Sequence, residues 1–226
     1  MALTYGDISV DEGIKLYNAD CNDIIDNFKG VDLVFTSPPY NRKRNDKYNN
    51  YDDTLDDYYA FLVKTTESLK NLNPNYIIIN LQANYYNRAD VYKYIGNYSK
   101  DIQNIIIWEK SNPLPASGHS ITNAYEFFVV IGKKALKSNT TYTKNHITTS
   151  VNSETTTKIH KAVMKQEVSD WFIEKFANKG DKVLDCFMGL GTTGVSCMKY
   201  GVDFIGIERD KTYFDIAKQR IYGAKE

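Results

Sequence analysis

The 226-residue sequence predicts one α/β domain built on a mostly parallel sheet with helices on both faces. Three observations carry the prediction. Short apolar runs rich in β-branched residues alternate with longer segments of helical periodicity. The length suits one core-bearing domain and is small for two. Hydrophobic residues make up 42% and charged residues 25%, a composition that folds.

Residues 14–17 read as a short strand and residues 23–28 as a helical turn or two. Residues 31–35 are a compact apolar run stopped by Ser37-Pro38-Pro39, because proline cannot donate to a ladder. Residues 55–72 place Tyr58, Leu62, Leu69 and Leu72 near one face, with Asp56 and Asp57 in the first turn of a helix. A buried strand at 76–81 and a helix at 91–98 follow. Strands at 105–108 and 127–131 flank a Pro/Gly/Ser loop at 111–122. A helix at 161–177 leads into a closing strand–helix–strand–helix unit at 182–185, 192–199, 204–207 and 211–221. Seven strands alternating with helices give the mostly parallel sheet. Residues 136–158 break the rhythm. They are rich in Ser, Thr and Asn and supply little core, so they read as a loop or a small recognition insert.

Formal net charge is zero, which speaks mildly against a nucleic-acid partner. Its distribution speaks the other way. Arg42, Lys43, Arg44 and Lys47 form one basic cluster, and Lys133, Lys134, Lys137, Lys144, Lys158, Lys161 and Lys165 face only Glu154 in sequence. These lysines suit phosphate contacts, or simply a solvated surface. The many Asn, Lys, Tyr and Ile residues fit an AT-rich genome and carry no functional signal. No apolar run approaches the ~20 residues that span a bilayer, and residues 1–10 lack the features of a secretory signal. Cys21, Cys186 and Cys197 have no CxxC spacing. A cytoplasmic protein with buried cysteines and no membrane partner is expected. His119, His146 and His160 form no ligand-spaced cluster, so no metal is expected.

Two motifs carry chemistry. Lys182-Val-Leu-Asp185-Cys186-Phe187-Met188-Gly189-Leu190-Gly191-Thr192-Thr193-Gly194 sets a G-x-G-x-x-G loop between a strand and a helix. Gly189 and Gly191 let the backbone approach a ligand, and Thr192 and Thr193 begin a helix whose free N–H groups attract an anion. Glu208 ends the next strand at the offset where an acid accepts from ribose hydroxyls. Together these fit a nucleoside cofactor; the glycines alone also suit a packing turn. The second motif is Thr36-Ser37-Pro38-Pro39-Tyr40, at the ligand edge of a buried strand. Ser37 Oγ and the Pro38 carbonyl offer two acceptors to one NH₂ group, and Tyr40 offers a flat face. A strand-ending turn with an aromatic cap fits the same residues.

Here the sequence resembles the β-class DNA amino-methyltransferases, which methylate cytosine N4 or adenine N6. Ser37-Pro38-Pro39-Tyr40 matches their (D/N/S)-P-P-(Y/F/W) signature, and Phe187-Met188-Gly189-Leu190-Gly191 matches F-x-G-x-G. Further similarity lies in Asp20-Cys21, Trp108-Glu109-Lys110, Asn112-Pro113, Tyr125-Glu126, His160-Lys161-Ala162-Val163 and the stretch from Phe204 to Arg220. The departures are Leu190, where a small residue is common, and Cys186, where proline is frequent. The resemblance implies a single Rossmann-like methyltransferase domain over 1–226, circularly permuted because the catalytic motif precedes the cofactor motif. It implies S-adenosyl-L-methionine as cofactor, held by Asp20, Cys21, Thr36, His160, Asp185, Phe187, Gly189, Gly191, Thr192, Thr193 and Glu208. Ser37, Pro38, Pro39 and Tyr40 would be catalytic, and Asn112 and Pro113 would line the base pocket. DNA is the implied substrate, with 136–158 as a short target-recognition insert. A second copy of the chain and a restriction endonuclease are candidate partners. Cytosine N4 is favoured by Ser37. Adenine N6, an RNA or protein amide, and a silent cofactor- or DNA-binding module are the alternatives.

Overall fold

The computed structural model describes residues 7–42, 54–113, 121–132, 143–151 and 163–225. Its elements are β1 (Ile8–Asp11), β2 (Ile14–Asn18), α1 (Cys21–Ile24) with a 3-10 turn (Ile25–Asn27), β3 (Leu33–Thr36), α2 (Tyr58–Asn71), β4 (Tyr76–Leu81) and α3 (Arg88–Asn97). Then come β5 (Ile102–Lys110), β6 (Tyr125–Gly132), β7 (His146–Thr149), α4 (Gln166–Phe176), β8 (Lys182–Asp185), α5 (Thr192–Tyr200), β9 (Asp203–Glu208) and α6 (Lys211–Lys225).

The strands form one sheet in the order β1-β2-β9-β8-β3-β4-β6-β5-β7. From β2 to β4 every pairing is parallel. β6 runs antiparallel to β4 and β5, and β1 is antiparallel to β2. All seven expected strands are present, and two more lie at the edges. β1 is four residues long with Ile8 and Val10 exposed, so it leaves no buried apolar run to read. β7 pairs in parallel with residues 107–110 of β5. It comes from the 136–158 segment, which therefore extends the sheet where it is described. Ile147, Thr148 and Thr149 are β-branched, and an edge strand tolerates their polarity. The rest of that segment lies outside the described residues.

Helix ends follow their caps. The Asp57 carboxylate accepts the Ala60 N–H at 2.8 Å, so α2 begins at Tyr58 and not at 55. Similarly, α4 begins at Gln166 because Lys165 is extended, its ammonium bonded to Ser150 and Glu167. Alternate strand residues feed two cores. Val34, Ile77, Ile79, Leu184 and Ile205 pack with Leu62 and Leu69 of α2 and Tyr94 of α3. Leu33, Phe35, Ile78, Val183 and Phe204 pack with Phe172, Cys197 and Phe214 from α4, α5 and α6. All three cysteines are buried. No helix among the described residues is long and apolar enough to cross a membrane.

β3 continues through α2 to β4 on one side, whereas β8 continues through α5 to β9 on the other, with the two helices on opposite faces. The chain order reverses between β3 and β8. Their C-terminal ends therefore open a crevice, the ligand position of a doubly wound sheet.

Phe172 is fully buried, 4.9 Å from Phe35 and 4.2 Å from Phe128 between ring centroids. Phe172→Ala should cost about 3–5 kcal/mol. In urea unfolding the midpoint should fall with an unchanged m-value; a loss under 1 kcal/mol would show that this core can collapse around the gap.

Candidate active site

Thr36 ends β3 and Asp185 ends β8. The Thr36 hydroxyl donates to Asp185 Oδ1 at 2.7 Å, and the Thr193 hydroxyl at the start of α5 donates to Oδ2 at 2.7 Å. The Phe187 N–H adds a bond of 3.1 Å to Oδ1. Burial raises the Asp185 carboxyl above its ordinary range, opposed by these three donors. Thr36, Asp185 and Thr193 thus satisfy one another and bind the glycine loop to the Ser-Pro-Pro-Tyr loop.

The glycine loop turns through left-handed backbone at Gly189 (φ 54) and Gly191 (φ 79). A Cβ on Gly189 would meet no atom within 4 Å among the described residues, so the backbone there is open to a ligand. α5 starts at Thr192 with no side-chain cap among the described residues, leaving its first N–H groups for an anion. Glu208 lies across the loop, its carboxylate accepting the Gly189 N–H at 2.8 Å and the Asp210 N–H at 2.8 Å. Asn18 pairs with Glu208 in the β2–β9 register, so Asp20 and Cys21, just past β2, flank Glu208. Asp20 caps α1 through the Asn22 N–H and lies 3.5 Å from Arg209 Nη1. Phe187 packs at the edge of the core, its ring 5.8 Å from that of Phe61. The predicted cofactor residues Asp20, Cys21, Glu208, Asp185, Phe187, Gly189, Gly191, Thr192, Thr193 and Thr36 follow one edge across β2, β9, β8 and β3. His160 lies outside the described residues, as do Lys43, Arg44, Lys47 and most of the second lysine cluster. No group of His, Cys, Asp or Glu side chains among the described residues is placed to hold a metal.

On the other wall, Ser37 to Tyr40 leave β3. Tyr40 is 8% exposed, with the Arg42 guanidinium 5.4 Å from its ring centroid. Its carbonyl accepts from the Asn84 and Asn87 amides at 3.1 and 2.6 Å. Its hydroxyl donates to Glu126 Oε2 at 2.9 Å and lies 3.2 Å from Ser37 Oγ. Burial, and then the Glu126 charge, hold the Tyr40 hydroxyl well above the usual phenol range, so it keeps its proton. Asn80 and Glu126, both buried, are polar members of this wall, and Lys110 pairs with Glu126. The sequence contains their signal. Asn80 interrupts the apolar run of β4, and Lys110 and Glu126 belong to segments already singled out by resemblance. Asn112 turns elsewhere, accepting the Val151 N–H at 2.7 Å.

A doubly wound sheet whose switch point joins a glycine-rich loop to a Ser-Pro-Pro-Tyr loop has the architecture of a Rossmann-like methyltransferase domain. A family model described as DNA methylase, for N6/N4 methyltransferases, matches residues 31–219, and the chain belongs to that family. It is 30% identical over 220 residues to the type II methyltransferase M.MwoI of Methanothermobacter wolfeii, covering 87% of this chain and 32% of that protein. It is 27% identical over 231 residues to the type II methyltransferase M.HinfI of Haemophilus influenzae, covering 85% of this chain and 63% of that one. The chain thus spans about a third and just under two thirds of these relatives' lengths. Among solved structures, the M1.HpyAVI–SAM complex superposes with a TM-score of 0.70 at 27% identity, covering 92% of this chain and 98% of that one.

Burial raises the Glu208 carboxyl from 4.5 to about 7, against the two N–H bonds that lower it. Between those values the folded protein holds a proton that the unfolded chain has released. Stability therefore falls as pH rises through that window. Urea titrations of the ligand-free protein should show a decline from pH 4.5 to 7, of at most about 3 kcal/mol from this group. Glu208→Gln should flatten it; an equally steep decline in the variant would assign it to other residues.

Proposed function

We propose that this domain transfers the methyl group of S-adenosyl-L-methionine to an exocyclic amine of a DNA base, cytosine N4 before adenine N6. The supporting observation is the 2.7 Å Thr36–Asp185 hydrogen bond, which joins the amine-accepting loop and the cofactor loop in one crevice.

The residues present fit the cofactor. Gly189 leaves open space, the α5 N-terminus suits the methionine carboxylate, and Glu208 suits ribose hydroxyls, while Asp20 and Cys21 would serve the adenine. Bound there, the sulfonium would supply an activated methyl. The chain's own task is to present the nucleophile. An aromatic amine is weak because its lone pair is delocalised into the ring. Accepting its two N–H bonds at Ser37 Oγ and the Pro38 carbonyl favours a more tetrahedral nitrogen and frees that pair. Pro38 and Pro39 keep the loop in one shape, so positioning carries much of the catalysis. Such a base has to leave the duplex, and stacking on Tyr40 offsets part of the few-kcal/mol unstacking cost. The Arg42 guanidinium, which lies over that ring and donates to Gln82 Oε1 at 2.8 Å, would have to shift for a base to stack there.

Ser37 in the first motif position favours cytosine N4. Residues 136–158 are assigned to target recognition, with help from a second copy of the chain where the target is longer. A restriction endonuclease partner and a cytoplasmic location fit the same reading.

Incubation with labelled cofactor and DNA, digestion and mass spectrometry of the nucleosides should yield N4-methylcytosine. N6-methyladenine would move the assignment to adenine, and label in RNA or protein would remove DNA. Cofactor binding with no transfer would leave a binding module. Tyr40→Ala should lower turnover by at least about a hundredfold while cofactor affinity stays within twofold, because only the amine side is lost. Equal loss of both would make Tyr40 structural. Glu208→Ala should weaken cofactor binding by at least about tenfold in calorimetry, the scale of a charge-assisted hydrogen bond; unchanged affinity would remove it from the site.

A further inference from the structure

Behind the Ser37–Tyr40 loop lies an ion pair of buried Glu126 and half-buried Lys110 that the sheet does not require. Glu126 in β6 is 5% exposed. Its Oε1 takes the Lys110 ammonium from β5, and its Oε2 accepts from Tyr40 at 2.9 Å and from Asn80 Nδ2 at 3.0 Å. Burying the Glu126 charge and half-burying that of Lys110 is costly, and an apolar pair would fill the space more cheaply.

Donors and acceptors leave one consistent assignment. Paired with Lys110, Glu126 is a carboxylate and only accepts. The single Tyr40 proton is therefore committed to Glu126. Asn80 has to point its NH₂ group at both oxygens, 2.8 Å from Tyr40 Oη and 3.0 Å from Glu126 Oε2. That orientation leaves its buried Oδ1 without a partner among the described residues, a cost the network tolerates. With its proton committed, Tyr40 Oη can only accept from Ser37, 3.2 Å away. The Ser37 proton thus points inward and its oxygen lone pairs face the crevice. Asn80 Nδ2, 3.5 Å from Ser37 Oγ, also approaches as a donor.

We propose that Glu126 is a positioning residue that sets the polarity of this chain, making Ser37 an obligate acceptor for the base amine by way of the Tyr40 hydroxyl. The inference rests on the amine-methylation reading above. A Ser37 hydroxyl without that constraint would turn its own proton toward the amine part of the time, opposing donor to donor. Glu126→Gln reverses the chain with little change of shape. Its amide donates to Tyr40, the Tyr40 proton turns to Ser37, and the Ser37 proton turns outward.

The test uses the full chain with Glu126→Gln, Tyr40→Phe and the double variant. Each single change should lower kcat roughly tenfold to a hundredfold while cofactor Kd and DNA KM stay within about twofold. The double variant should be no worse than the singles, because both act through one hydroxyl. Losses that multiply in the double variant, or a kcat unchanged in Glu126→Gln, would overturn the proposal. Independently of activity, the Tyr40 Cζ resonance in ¹³C-tyrosine-labelled protein, assigned by its absence from Tyr40→Phe, should shift in Glu126→Gln. An unmoved resonance also overturns it. A wild type that methylates no DNA amine defeats the earlier reading, and the resonance still decides whether Glu126 governs Tyr40. Should Glu126→Gln fail to fold with Lys110 left uncompensated, Lys110→Met/Glu126→Gln removes both charges and is read by the same shift.

Discussion

One buried carboxylate holds the crevice together. Asp185 accepts from Thr36 on β3, from Thr193 on α5 and from the Phe187 N–H on its own loop. An isolated carboxylate at that depth would be prohibitively costly, and three donors are what make it tolerable. Asparagine would be a poor replacement. Its NH₂ group would face either the Phe187 N–H, which cannot reverse, or a threonine hydroxyl that would have to turn away. Thr36 is 149 residues from Asp185 in sequence, so this interaction converts the β3–β8 pairing into a fixed relation between two loops.

The Ser37–Tyr40 loop is held from behind by amides. Asn84 and Asn87 both donate to the Tyr40 carbonyl. Asn41 adopts a left-handed φ of 49, which asparagine tolerates better than most residues, and exchanges two hydrogen bonds with Leu55. Asparagine abundance reads in composition as a genomic bias without functional meaning. In the fold, Asn41, Asn80, Asn84 and Asn87 surround the Ser37–Tyr40 loop. Asn41 exchanges a donor and an acceptor with the Leu55 backbone, and Asn84 and Asn87 donate to the Tyr40 carbonyl, which suits backbone that leaves a sheet.

The sequence disclosed what is periodic or local. Strands β3, β4, β8 and β9 were legible because both faces of a central parallel strand are buried, which writes an apolar run. The glycine loop was legible because left-handed turns restrict residue choice at the point of use. Edge strands β1 and β7 were not, since half their surface is wet and no run or strict alternation survives. Neither was the partnership of Asn80 with Glu126, whose 46-residue separation leaves no pattern. Side-chain direction was hidden as well. Thr36, Asp185 and Thr193 sit among ligand-facing residues in sequence, yet meet one another in space.

The departures from the family pattern now have a physical account. A side chain at Gly191 would be strained by the left-handed φ of 79 and would crowd Ala217 and Ile221 of α6, each 3.0 Å from its Cβ. Gly189 has no such neighbour among the described residues. Between them Leu190 is buried, and its carbonyl accepts from the Arg220 guanidinium, also on α6. α6 therefore sets the loop from beneath, through the Arg220 bond to the Leu190 carbonyl and the close approach of Ala217 and Ile221 to Gly191. A residue held that way need not be small, provided that the glycines on either side keep their conformation. Cys186 follows the same logic: it is buried, 3.5 Å from the Thr36 hydroxyl, in the interior layer that Asp185 anchors. Its shape is constrained by the core, whereas the crevice constrains the backbone two and more residues later.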